Sequence, residues 1–290
     1  MKTYLLNRIL PIQLLFFIAT GVASAQKSTK METLKTTGYA PVNGLKMYYE
    51  IHGEGGIPLV LIHGGGSTIQ TSFGKILPLL AAKRQVIAVE LQAHGRTTDR
   101  DTPESFENDA ADVVALLAYL KIPKANIMGY SNGGTTALRM AIDHPQVVNK
   151  IVVISANYRR DGMPPGFFEG MQKATLNNMP KILQDAYLEV TPNKDGLMVM
   201  FRKDVDRMLN FKDIPDDELR FIKAPAFFLS SDHDVISPDH TAKMMQLVPG
   251  AQLTILPGGH GSILGAAESG GDHAGLPAIT ASLVEEFLDK

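Results

Sequence analysis

The chain has no cysteine in 290 residues. Disulfides, a thiol nucleophile and a thiolate-ligated metal are therefore excluded, and an oxidising compartment carries no risk of misbridging. Charge of one sign is equally scarce: the formal net charge is −2, with no basic block and no acidic tail. That leaves no electrostatic footprint for a nucleic-acid partner. No internal repeat, low-complexity tract or dinucleotide-binding glycine fingerprint is present. An apolar content of 44% is ordinary for a globular protein, and the length suits one large α/β domain or one domain with an insertion.

A long apolar run is missing too. The nearest approach is residues 9–19, interrupted by Pro11 and Gln13 and too short to span a bilayer comfortably. Lys2 and Arg8 precede it and Ala23-Ser24-Ala25 follows, the order of a secretory leader with a small-residue cleavage site. The sequence predicts a signal peptide over 1–25, cut after Ala25; a retained anchor is the competing reading. Cleavage would remove two bases and no acid, take the net charge from −2 to −4, and deliver the chain to a periplasm or the medium without stable membrane association. Lipid attachment through an N-terminal cysteine is excluded. Residues 26–37 are polar and read as a linker, leaving 38–290 as the folded domain.

Within that domain, short apolar runs recur. Residues 45–51 alternate, as a half-buried strand does. Residues 58–62, 85–89, 150–154, 226–229 and 252–256 are continuously apolar or nearly so, as in strands buried on both faces of a parallel sheet. Helical spacing appears over 109–120, 240–247 and 280–288. Strands alternating with helices predict a doubly wound, mostly parallel α/β sheet, with its site beyond the C-terminal ends of the strands. The alternation fails once, over 157–222, which reads as a helical insertion covering the site. It holds Met163, Met171, Met179, Met198, Met200 and Met208, six of the thirteen methionines, with several aromatics. Such residues suit an adaptable apolar pocket, although for any one of them plain packing onto the core is the better expectation.

The densest signal is Gly129-Tyr130-Ser131-Asn132-Gly133, between the apolar Asn126-Ile127-Met128 and a helix-like run ending at Asp143-His144-Pro145. Glycines two before and two after a serine let backbones approach closely around a sharp strand-to-helix turn. A serine hydroxyl needs a base and an orienting acid before it can attack. Downstream stand Asp232-His233-Asp234 after the 226–229 run, and Pro257-Gly258-Gly259-His260-Gly261 after the last one.

These segments resemble the α/β-hydrolase superfamily, whose order is nucleophile, acid, histidine. The resemblance spans about residues 39–288 and is weakest over 157–222. It implies Ser131 as nucleophile, His260 as base and Asp234 as acid, with Asp232 in reserve and His273 as the rival base. It also implies an oxyanion hole from the amides of Asn132 and of Gly65, in His63-Gly64-Gly65-Gly66. Glu90-Leu91-Gln92-Ala93-His94-Gly95-Arg96-Thr97 resembles a structural segment of the same family, with Glu90, Ala93 and Thr97 departing from its pattern.

The implied activity is serine-dependent cleavage of a small-molecule ester or lactone, with no metal or organic cofactor. Carbon–carbon bond hydrolysis, removal of N-terminal proline and cofactor-free haloperoxidase or perhydrolase chemistry use the same triad and stay open. A non-catalytic binding scaffold is the reading from another class. Substrate-contacting residues and oligomeric state are not legible.

Overall fold

The computed structural model describes residues 34–271 and 275–290. The expected signal peptide, most of the expected linker and His273 lie outside the described residues.

Eight strands form one sheet: β1 (Leu34–Val42), β2 (Leu45–His52), β3 (Leu59–Ile62), β4 (Val86–Val89), β5 (Ala125–Tyr130), β6 (Val148–Ile154), β7 (Ala226–Ser231) and β8 (Gln252–Leu256). Their order is β1-β2-β4-β3-β5-β6-β7-β8, antiparallel at β1–β2 and β2–β4 and parallel from there on. β1 corrects the reading of 26–37, because Leu34 to Thr37 pair with β2 rather than link. The first five residues of β1 are largely exposed at the sheet edge, so no apolar periodicity marks them. The turn that closes this hairpin is Asn43-Gly44, with φ of 45° and 86°, the positive values that match the twist of an antiparallel pair.

β3, β4 and β5 are buried at every position, and alternate residues feed opposite faces. Val60 and Ile62 join one core, packed with helices α3 (Phe106–Tyr119) and α4 (Asn132–Asp143); Leu59 and Leu61 join the other. That second core is closed by α1 (Ile69–Phe73), α2 (Leu77–Ala81) and the C-terminal helix. Between β6 and β7 the chain makes α5 (Phe167–Gln172), α6 (Lys181–Val190), α7 (Lys194–Leu209) and α8 (Asp216–Arg220) and no strand. α7 starts cleanly because the Asn193 side chain accepts from the amides of Asp195 and Gly196, both at 3.1 Å. Two small satellite cores hold these helices down. One joins Met179, Leu183, Tyr187 and Met200 to Ala93; the other joins Met208 and Phe211 to Phe106 on α3. Helices α9 (Pro238–Leu247) and α10 (Leu276–Asp289) complete the fold.

The turn from β5 to α4 is the tightest point. Ser131 has φ 54° and ψ −121°, outside the regions an L-residue ordinarily occupies. A methyl group on Gly129 would lie 1.9 Å from Gly133 O, and one on Gly133 2.1 Å from Ile62 O. Both neighbours are backbone and cannot move aside. Gly133→Ala is expected to lose at least about 3 kcal/mol or fail to fold, by thermal melting followed by circular dichroism. Gly170→Ala is the control. On α5 its added carbon would meet nothing within 4 Å, so it should be neutral or gain about 0.5 kcal/mol.

Candidate active site

Each of the five residues singled out in the sequence sits just beyond the C-terminal end of a strand or in the loop that follows it: Gly65 after β3, Ser131 and Asn132 after β5, Asp234 after β7, His260 after β8. The sheet order brings them together. His260 lies between the other two side chains, with Nε2 3.1 Å from Ser131 Oγ and Nδ1 2.7 Å from Asp234 Oδ1. With Nδ1–H donating to the carboxylate, Nε2 is left to accept the serine proton. The ring of buried Tyr130 lies 5.0 Å from that of His260, and its hydroxyl donates to Glu268 at 2.9 Å.

Burial pushes the Asp234 carboxyl upward. The hydrogen bond and charge of His260, the Ser155 hydroxyl donating at 2.5 Å and the Ile236 amide at 3.1 Å outweigh it, so the carboxyl titrates below its usual value. Asp232 does something else: its Oδ1 accepts from the Gly258 amide at 2.8 Å, tying the β7 and β8 loops together. Ser155, in a left-handed conformation at φ 51°, escaped the sequence reading because a lone serine after a strand carries no pattern.

The amides of Asn132 and Gly65 donate to no described residue, and both residues line the cavity into which Ser131 and His260 open. Asn132 begins α4, where unpaired amides and the helix dipole favour negative charge. The loop carrying Gly65 is held from two sides. Ser72 Oγ accepts from the Gly64 amide at 3.3 Å, and Asp204 on α7 accepts from the Gly66 amide.

Asp204 belongs to a buried ion cluster that the sequence did not show. Arg207, one turn along α7, pairs with Asp204, with Asp109 on α3 at 2.5 Å and with Glu104 at 3.4 Å. His94 Nε2 meets Asp204 Oδ2 at 3.0 Å while its Nδ1 meets Gln92 O at 2.8 Å. The Gly66 amide also points at Nε2 from 3.2 Å, so this donor and the Asp204 carboxylate meet the same ring nitrogen. Burial alone would push His94 down, yet the charge and hydrogen bond of Asp204 raise it to about 9. Burial raises Glu104 to about 8 against the pull of Arg207. Arg207 and His94 are thus the cations that face Asp204, Asp109 and Glu104, the last drawn toward its neutral form by burial. His63 behaves oppositely: burial lowers it to about 3, and as a neutral ring it accepts the Leu91 amide at 3.0 Å.

The cavity over Ser131 measures about 350 Å³. Met163, Phe167, Met171, Met179, Met200 and Met208 supply much of its wall, so five of the six insertion methionines face it, whereas Tyr187 and Phe211 sit in the satellite cores. Asn132, Asn157 and Asp204 are among its few polar residues.

A fold and a site of this kind define a class, and comparison with known proteins agrees. Residues 57–208 match the alpha/beta hydrolase fold family, and the chain belongs to it. It is 30% identical over 250 residues to the human serine hydrolase BPHL, covering 82% of this chain and 84% of that protein. It is 27% identical over 240 residues to a pyrrolizixenacetamide deacetylase of Xenorhabdus hominickii, covering 76% of this chain and 89% of that one. In three dimensions it is similar to an enol-lactonase from Burkholderia xenovorans, with a TM-score of 0.67, 23% identity and 87% and 100% of the two chains covered.

The ion cluster makes stability depend on pH. A histidine raised on folding stabilises fully below pH 6.5, its unfolded value, and that contribution is lost as pH rises through about 9. Glu104, raised from 4.5 to about 8, acts in the same direction over its own interval. The melting temperature is expected to fall as pH rises from 6.5 to 9. His94→Gln should make that fall shallower, and an unchanged slope in this variant would remove His94 from the cluster's charge balance.

Proposed function

We propose that this protein is a serine hydrolase that cleaves a small-molecule carboxylic ester or lactone through an acyl-enzyme. The observation that carries the reading is His260 bridging Ser131 and Asp234 at 3.1 and 2.7 Å, at the floor of an apolar cavity. On substrate binding, Ser131 Oγ attacks the scissile carbonyl carbon as its proton passes to His260 Nε2. Asp234, ionised and held by Ser155 and Ile236, stabilises the imidazolium through Nδ1–H. The carbonyl oxygen becomes an oxyanion and accepts from the amides of Gly65 and Asn132. His260 then returns the proton to the leaving alkoxide, which departs and leaves an ester on Ser131. Water, deprotonated by the same nitrogen, attacks that ester; the acid leaves and Ser131 regains its proton. In this reading the helices between β6 and β7 are a lid that shapes the acyl and alcohol sites.

The chemistry of the relatives supports hydrolysis of an acyl bond. BPHL is a serine hydrolase by name, and the Xenorhabdus protein is named for deacetylation, so amides belong in the substrate panel beside esters and lactones. The test is hydrolysis of p-nitrophenyl esters from C2 to C12, with Ser131→Ala as the blank. Ser131→Ala and His260→Ala should each lower turnover about 10⁴- to 10⁶-fold with melting temperature kept. Asp234→Asn should be severe and Asp232→Asn mild; the reverse would exchange their roles. Turnover equal in the wild type and Ser131→Ala would refute the reading.

We also propose that the leader directs export. A mature protein recovered from the periplasm or medium should begin at Gln26, and N-terminal sequencing that finds Met1 in the exported material would count against cleavage.

A further inference from the structure

We propose that the carboxamide of Asn132 and the carboxylate of Asp204 form a polar subsite beside Gly65, and that this subsite recognises a hydroxyl group on the substrate near its scissile carbonyl. The proposal deepens the serine-hydrolase reading and rests on it.

The cavity over Ser131 is walled mostly by methionine, phenylalanine and aliphatic side chains. Asn132 interrupts that wall one residue after the nucleophile. Its side chain makes no hydrogen bond to any described residue, although the residue is half-buried. Some unpaired polar atoms of the fold are sealed from solvent, but neither Oδ1 nor Nδ2 of Asn132 is among them, so both stay accessible. Asn178 on the same wall differs: it is exposed, and its Oδ1 accepts from the amide and hydroxyl of Thr175 at 2.8 and 3.1 Å.

Gly65 shows where Nδ2 lies. A methyl group on Gly65 would sit 2.6 Å from Asn132 Nδ2 and 3.3 and 3.4 Å from the two carboxylate oxygens of Asp204. An amide donor and an acid therefore meet over the glycine whose own amide is to receive the oxyanion. Asp204 Oδ2 faces the Gly66 amide and His94, while Oδ1 faces Arg207. A carboxylate oxygen can accept twice, so Oδ1 keeps a lone pair, and 13% of the side chain is accessible. A substrate whose carbonyl is held by the Gly65 and Asn132 amides thus meets, within a few atoms, a donor and an acceptor side by side. A hydroxyl group answers both, accepting from Nδ2 and donating to Asp204. A ketone oxygen only accepts, an ammonium group only donates, and a hydrocarbon chain leaves both unpaired. Arg207 and His94 already meet the charge of Asp204, which favours a neutral hydroxyl over a cation.

The test follows acid release at constant pH. In the acyl arm, each enantiomer of methyl 2-hydroxyhexanoate and methyl 3-hydroxyhexanoate is compared with methyl hexanoate, methyl 3-oxohexanoate and methyl 3-aminohexanoate. In the alcohol arm, 2-hydroxyethyl hexanoate is compared with propyl hexanoate, which carries a methyl in place of the hydroxyl. The wild type should prefer one hydroxy member over its parent by about 10- to 100-fold in kcat/KM, beyond the ratio found in hydroxide-catalysed hydrolysis, and Asn132→Ala should remove that excess. The ratio is read within each enzyme, so any loss common to both esters cancels. The Asn132 side chain has no partner to lose, so the variant should keep its melting temperature. Dissociation constants of the same esters are measured on Ser131→Ala with and without Asn132→Ala. Turnover of the parent esters with no hydroxy preference in either arm overturns the subsite and leaves the hydrolase reading standing. Absent turnover with tighter hydroxy binding that Asn132→Ala abolishes keeps the subsite and overturns the hydrolase reading; neither turnover nor tighter binding overturns both. A hydroxy preference that survives Asn132→Ala overturns the assignment of this residue. An equal or greater preference for the oxo or amino ester overturns the choice of a hydroxyl.

Discussion

The site hangs on one residue's backbone. Ser131 must leave β5 and enter α4 within a single φ, ψ pair that costs about 1–3 kcal/mol, and it stays there because its surroundings leave no alternative. Its amide donates to Ile154 O on the neighbouring strand at 2.9 Å, and Gly129 and Gly133 allow contacts that any side chain would block. The bend lifts the hydroxyl clear of the sheet and points the first turn of α4 at the same space. Because β5 is flanked by β3 on one side and by β6, β7 and β8 on the other, the loops after those strands converge on it. Gly65 and His260 meet at Ser131 although nearly the whole domain separates them in sequence.

Electrostatics then divides the polar groups into two assemblies of different character. Around His260 the acid is buried, ionised and held by donors that include Ser155 and the Ile236 amide, so the ring beside it keeps one orientation and an accepting nitrogen toward Ser131. Around Arg207 the charges cancel pairwise in a closed cluster that ties α7 to α3 and, through Asp204, to the Gly66 amide. Opposite charges in low dielectric are worth holding only when every partner is in place. The cluster draws on separate parts of the chain, so the glycine loop beside Ser131 is tied to a helix between β6 and β7, while Arg207 Nε and both Glu104 oxygens are left without a hydrogen bond.

What was legible in the sequence follows from where each signal lives. Ser131, Asp234, His260, Asn132 and Gly65 each follow an apolar run, and such runs survive as visible patterns because both faces of a parallel strand are buried. β1 was missed since it is an edge strand whose outer half faces water, although Asn43-Gly44 marked its turn. Ser155, Asp204 and Arg207 left no trace: the partners of the latter two lie up to 138 residues away, and charges at helical spacing look like any solvated face. Side-chain direction in the insertion was equally hidden. Composition announced methionine and aromatics, but only packing separated Met179 and Met200, which reach the cavity, from Tyr187 and Phe211, which hold helices to the core.

The two helices that line the cavity, α5 and α7, are not held by the same kind of contact. α7 carries both Asp204 and Arg207, so its seating holds the pairs with His94, Asp109 and Glu104 and supplies an acceptor to the Gly66 amide. α5 buries none of its residues, and its own Phe167 and Met171 stand at the cavity wall. One side of the cavity wall is therefore held by buried ion pairs, and the other by partly buried apolar side chains and a guanidinium over a ring.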